Sequence, residues 1–268
     1  MKRNVLLIIL CLLLAAVAVY SGYQIVSTLL EYKAGEDAYH DLQQYVSIPG
    51  ETQAALQTDA TQTPDQTGND QVPMVTAPVQ TEPAAPKVNF DMLLDINSDV
   101  VGWIYLEDSK INFPVVQGED NAEYLYWLIN GEYNSAGTPF MDYRNAPDFS
   151  DRNTIIYGHN MNNGTMFADI HKYTDQAYYD AHPVVQLLTP TGDYELEIFA
   201  GYITDLDADA WRIFFESDDE FAAWQETARE KSAFNSPVMP TAEDRIVTLS
   251  TCSDSYLETR FVLLGVIR

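Results

Sequence analysis

The stretch Arg245-Ile246-Val247-Thr248-Leu249-Ser250-Thr251-Cys252 is rich in β-branched and apolar residues through Thr251 and is followed by a polar turn, Ser253 to Thr259. A second run of the same kind, Arg260 to Ile267, comes next. The pattern predicts two final strands, joined by a connection short enough for an antiparallel hairpin that returns Arg260 beside Cys252. Cys252 is the only cysteine outside the hydrophobic N-terminus. A thiol at a strand end is either a small buried hydrophobe or a nucleophile.

Upstream, strands are expected at Val100 to Leu106, Ile111 to Val116, Thr138 to Asp142 and Asn153 to Tyr157. Val184 to Leu188 and Tyr194 to Thr204 read as a hairpin about Pro190-Thr191-Gly192. Short helices are expected at Phe90 to Asn97, Asp120 to Ile129, Met166 to Tyr173 and Asp175 to Ala181. A longer amphipathic helix opens at Ser217, with Phe221, Trp224 and Ala228 on one face, acidic residues in its first turn and basic ones near its end. Seven or eight short strands with few helices predict a closed or nearly closed β-barrel. The aromatic run Glu123 to Tyr133 reads as core and barrel rim rather than as a binding platform.

The N-terminus differs in kind. After Lys2 and Arg3 no charge appears from Asn4 to Leu30, a run long enough to cross a bilayer as a helix. Ala16-Val17-Ala18 offers a signal-peptide cleavage site as the alternative, but apolar character resumes through Ile25, Val26, Leu29 and Leu30, which favours an uncleaved anchor. Lys2 and Arg3 place residues 1–30 as a cytoplasmic tip and membrane span, with everything after residue 30 outside the cell. Cys11 then lies within the membrane. Residues 31–48 suit a juxtamembrane helix. The Thr, Gln, Pro and Ala-rich segment 49–87 reads as a disordered tether, leaving 88–268 as the globular domain.

A formal net charge of −26 argues against nucleic acid or an anionic membrane surface as partner. With Cys11 in the membrane, the exported portion cannot form a disulfide, so its single thiol is retained for another reason. Asp205, Asp207, Asp209 and Glu216 mimic a calcium loop, but Ala210 stands where that loop needs glycine. No cofactor or metal is expected. His40, His171 and His182 share no metal-ligand spacing.

His159 follows the strand Asn153 to Tyr157 through Gly158, and Arg260 begins the last strand. Taken singly, each has a plain explanation as a loop histidine or an edge charge. Together, Tyr157-Gly158-His159-Asn160, Thr248-Leu249-Ser250-Thr251-Cys252 and Arg260-Phe261-Val262 resemble, in order and spacing, the sortases, the membrane-anchored cysteine transpeptidases of Gram-positive cell envelopes. The Gly-His-Asn-Met start of the loop after the histidine, Gly164-Thr165-Met166-Phe167 and the helix from Ser217 to Phe234 are most like class B.

The resemblance implies an eight-stranded sortase-type β-barrel with short peripheral helices and one longer inserted helix, preceded by the transmembrane helix. It implies that Cys252 attacks the Thr carbonyl of a Pro-x-Thr-type sorting signal to form a thioester. His159 then serves as general acid and base, and Arg260 stabilises the oxyanion and the substrate. Asp254 matches an auxiliary acidic position, although an Asp in a turn has a local reason to be there. The acceptor implied is a cell-wall amine, either a peptidoglycan cross-bridge or a pilin lysine. Ser253-Asp254-Ser255-Tyr256 departs from the usual acidic-aromatic sequence. A cysteine endopeptidase with water as acceptor, or a non-enzymatic wall-binding barrel, are the competing functions.

Overall fold

The computed structural model describes residues 2–48, 86–206, 208–252 and 259–268. In chain order the elements are α1 (Lys2–Leu42), β1 (Val46–Ser47), β2 (Lys87–Val88), α2 (Phe90–Ile96), β3 (Val100–Tyr105) and β4 (Asn112–Val116). Next come β5 (Phe140–Met141), β6 (Asn153–His159), α3 (Gln176–Ala181), β7 (Val184–Thr189) and β8 (Gly192–Asp205). The chain closes with α4 (Asp218–Lys231), β9 (Ile246–Cys252) and β10 (Thr259–Ile267).

Strands β3 to β10 close into an eight-stranded barrel in the order β10-β8-β7-β3-β4-β5-β6-β9. This is the expected architecture. Its interior is filled by side chains such as Trp103, Ile104, Val115, Ile156, Leu187 and Leu249. Trp103 is wholly buried, and its indole Nε1 donates to Asn112 Oδ1 at 2.7 Å, so the ring's one polar group is satisfied inside the core. β8 and β10 are covered on their outer face as well. α4 lays Phe221, Trp224 and Ala228 on Phe199, Val262 and Leu264, so the last strand is apolar on both sides. Ser217 caps α4 by accepting from Glu220 N, behind a first turn of Asp218, Asp219 and Glu220.

Two expected elements come out differently. The helix expected from Asp120 to Ile129 is a single 3-10 turn, Glu123–Leu125. The Asp120 carboxylate takes the amides of Ala122 and Glu123, and the chain doubles back at Gly131, whose φ of 79° suits glycine. Leu128 N donates to Glu132 O, and Trp127 pairs with Tyr133. The aromatic run is accordingly split: Tyr124 and Leu128 are core, whereas Tyr126, Trp127 and Tyr133 face outward. The strand expected at Thr138 to Asp142 is reduced to Phe140–Met141, because Thr138 Oγ1 bonds Trp127 O and Asp142 serves the site below.

Of the stretch expected as a juxtamembrane helix, residues 31–42 continue the apolar run as one helix, whereas Val46–Ser47 is strand β1 because it pairs with β2. Tyr39 and Leu42 of that helix, together with Val46 beyond it, are buried in the same core as the barrel, with Tyr39 edge-on to Phe113 at 5.1 Å. Of the segment 49–87, all but Pro86 and Lys87 lies outside the described residues. Its flanks pair with each other, Val46 with Val88 and Ser47 with Lys87. The barrel is thus joined to the apolar part of α1 by a packed stretch of the same helix, and the flanks of the segment meet at one place.

Candidate active site

Parallel pairing of β6 with β9 runs from Asn153↔Ile246 to His159↔Cys252, which sets the histidine and the cysteine side by side at the ends of adjacent strands. On the other side of β9, β10 pairs through Val262↔Ser250. Carried two residues further, that antiparallel register would set Arg260 opposite Cys252. The ladder stops short of that row. Phe261 N donates to Thr251 Oγ1 at 3.0 Å, and that hydroxyl bridges the opening between the strands. The ends of β6 and β9 thus set His159 beside Cys252 on paired strands about 4.8 Å apart, and the same end of the barrel carries Arg260 on β10, beyond the last β9–β10 pair. Asp254 lies outside the described residues.

His159 Nε2 is 2.8 Å from the carbonyl oxygen of Leu125. A carbonyl only accepts, so in the neutral ring Nε2 carries the proton and Nδ1 is the basic nitrogen. Tyr126 lies against the imidazole with ring centroids 6.2 Å apart. Gly158 matters to this placement. A Cβ there would lie 2.6 Å from the ring of Phe167, which is wholly buried. Gly158→Ala is expected to displace that ring and the strand end carrying His159. The expected cost is about 1–3 kcal/mol in a denaturant midpoint, accompanied by lost turnover.

Arg260 pairs with Thr204 on β8 and lines a groove of about 280 Å³ with Asn121, Leu125, Phe140, Tyr157, Leu206 and Trp211. Its Nη1 is buried and has no hydrogen-bond partner among the described residues. An unpaired guanidinium donor at a groove wall costs stability in the free protein and is a ready partner for a ligand oxygen. Trp211 is held over the groove by Nε1 donating to Ser250 Oγ at 3.0 Å.

Asp142 forms the support beneath. It is wholly buried and accepts from Tyr157 OH at 3.0 Å, Asn121 Nδ2 at 3.0 Å, Arg144 Nε at 2.8 Å and Arg144 Nη2 at 2.7 Å. Burial pushes its carboxyl up, but the hydrogen bonds from Arg144, Asn121 and Tyr157 outweigh that and hold it below the usual aspartate range. Two groove-lining polar groups, Asn121 and Tyr157, thus take their positions from one carboxylate. Asp142→Asn is expected to cost about 2 kcal/mol. The figure is kept low because the Arg144 side chain is 45% exposed and solvent screens that pair. With the folded pKa depressed, the wild-type advantage is complete above the unfolded value of about 3.9 and disappears as pH falls through the lower folded value. Urea midpoints of both proteins across pH 2–7 check this.

Sequence reasoning missed Leu125, Asn121, Tyr157, Asp142 and Trp211. Only Tyr157 had a sequence signal, its place directly before Gly158-His159. Of the calcium-like positions of the sequence, Asp205 ends β8, Asp209 lies 3.8 Å from Arg212, and Asp207 lies outside the described residues. Among the described residues no group of three or more His, Cys, Asp or Glu is placed to hold a metal.

The Sortase domain family model matches residues 104–267. Sortase B of Staphylococcus aureus (strain NCTC 8325 / PS 47) is 33% identical over 259 residues, 97% of this chain and 94% of that protein. The S. aureus sortase B-substrate complex superposes with a TM-score of 0.65 at 37% identity, covering 67% of this chain and 84% of that one. The crystal structure of sortase B from B. anthracis in complex with AAEK1 gives a TM-score of 0.69 at 29% identity over 89% and 98%. The strand-end site, the closed eight-stranded barrel and these likenesses agree: the chain belongs to the sortase family, on its class B branch.

Proposed function

We propose that Cys252, His159 and Arg260 are the catalytic residues, and that the chain cleaves a Pro-x-Thr-type sorting signal after Thr and passes the acyl group to a cell-wall amine. As a sortase it is a cysteine transpeptidase of the cell envelope, with surface proteins as donors and a cell-wall group as acceptor. The finer assignment is supported chiefly by His159, Cys252 and Arg260 lying at the same end of the barrel, with a buried unpaired donor on Arg260.

The Cys252 thiolate attacks the Thr carbonyl carbon, and Arg260 donates to the oxyanion as it develops. The C–N bond breaks as protonated His159 gives its proton to the leaving amine, and a thioester remains. The incoming amine attacks that carbonyl and loses a proton to His159. The C–S bond then breaks, a new amide forms and the thiolate returns. Asp254 is the auxiliary acid in this proposal. α1 supplies the anchor, with residues 1–30 as tip and span and everything beyond residue 30 outside the cell.

The test is mass spectrometry on the full chain in detergent, using a peptide library with and without an amine acceptor and a Thr-ending vinyl sulfone as trap. The expected result is an adduct on the Cys252 peptide, cleavage after Thr and an amide product when amine is present. Absence of the adduct overturns the catalytic assignment. Hydrolysis that amine does not divert would make the chain an endopeptidase.

A further inference from the structure

The uncharged run Asn4–Leu30 exceeds the ~20 residues that cross a bilayer core, so its outer end lies in the headgroup layer. Glu31, the first charge beyond it, is fastened to the barrel: Asn134 Nδ2 donates to Glu31 O, and Ser135 N to Glu31 Oε1, each at 2.9 Å. Further along the helix, Tyr39 OH donates to Gly137 O and lies 3.0 Å from Thr138 Oγ1. From Tyr39 back to Glu31 the helix drops about 12 Å toward the span. Asn134, fastened at Glu31, also donates its backbone N–H to Tyr126 O and is followed back along the chain by Tyr133, so both tyrosines adjoin the residue held at the first charge beyond the apolar run.

Tyr133 is 65% exposed, and Tyr126 and Trp127 are 46% and 43% exposed. The three rings pack on one another, Tyr126 stacked on Tyr133 at 6.0 Å and Trp127 edge-on to Tyr133 at 5.7 Å. A cluster of exposed Tyr and Trp at headgroup depth is the composition of an interfacial aromatic belt. Glu132 and the acidic chain as a whole rule out attraction to anionic lipid as the cause. The rings themselves are the contact.

We propose that Tyr126, Trp127 and Tyr133 form a second membrane contact, seated in the headgroup layer of the bilayer that α1 crosses. The proposal rests on α1 being a membrane span. The loop also carries Leu125, whose carbonyl holds His159, so docking it fixes the site's height above the lipid.

The test is fluorescence of the full chain in phosphatidylcholine vesicles with and without a headgroup nitroxide, with Trp127→Phe subtracted to isolate Trp127. Of the other three tryptophans Trp103 and Trp224 are buried and Trp211 is half-buried, and all three remain in Trp127→Phe, so subtraction removes their signal. The expected result is a vesicle-floating chain whose Trp127 signal falls by more than about half with the labelled lipid, is shielded from aqueous acrylamide and does not respond to salt. A chain that floats while Trp127 ignores the nitroxide overturns the proposal and leaves the span intact, whether acrylamide reaches the ring or a second copy covers it. A chain that does not float overturns both. Should Trp127→Phe fold poorly, Tyr133→Trp gives an independent reporter at the most exposed of the three positions.

Discussion

Cys252→Ala is expected to abolish peptide cleavage and acyl transfer, lowering turnover by at least about 10³-fold while the fold remains. Without the thiol no thioester forms, and neither His159 nor Arg260 offers another nucleophile. Cys252→Ser should fare little better. A serine hydroxyl stays protonated near neutral pH, and the ester it would form is a poorer acyl donor to an amine than a thioester. The measurement is product formation by mass spectrometry with and without an amine, paired with a thermal midpoint to establish folding. Residual activity within tenfold of wild type in the alanine variant would remove Cys252 from the mechanism.

Arg260→Lys is the second, and its signature is a divergence between rate and stability. The guanidinium offers a planar fork of donors, and Nη1 is buried without a partner among the described residues. A lysine presents one compact ammonium at a different reach and cannot supply the same pair of directed bonds. Loss of a donor to a developing oxyanion costs about 10²–10³ in kcat, so Arg260→Lys and Arg260→Met should both fall by that amount, mainly in kcat. A structural arginine would lower stability on removal. Here Arg260→Met should leave the denaturant midpoint unchanged or higher, because an unsatisfied buried donor is being replaced by apolar atoms. A midpoint that drops by more than about 2 kcal/mol, with kcat intact, would sink the oxyanion role.

The strand content was legible in sequence because it is a period-two problem. β6, β9 and β10 are apolar runs ending in polar turns, and their ends carry His159, Cys252 and Arg260. The return of Arg260 toward Cys252 follows from the hairpin, whereas the parallel pairing of β6 with β9 joins distant segments and was legible only through the motif resemblance. The groove's other walls were not legible. Leu125 acts through a backbone carbonyl, which side-chain identity does not encode. Asp142 lies seventeen residues from His159, and its importance comes from three donors converging on it from separate segments. The loop at 120–134 was misjudged because apolar spacing suggested a helix, whereas Asp120 and Gly131 impose local turns that override propensity.

The short ladder between β1 and β2 bears on how this protein can be engineered. With Val46 paired beside Val88, the two flanks of the intervening sequence stand together at a single doorway, so its length does not set how α1 lies against the barrel. Closing a loop costs only about 0.6 kcal/mol for each doubling of its length. The doorway is therefore a splice point. A reporter or affinity domain grafted between Pro49 and Ala85 should ride on the outside of the enzyme, with the seating of His159 and Arg260 unaltered.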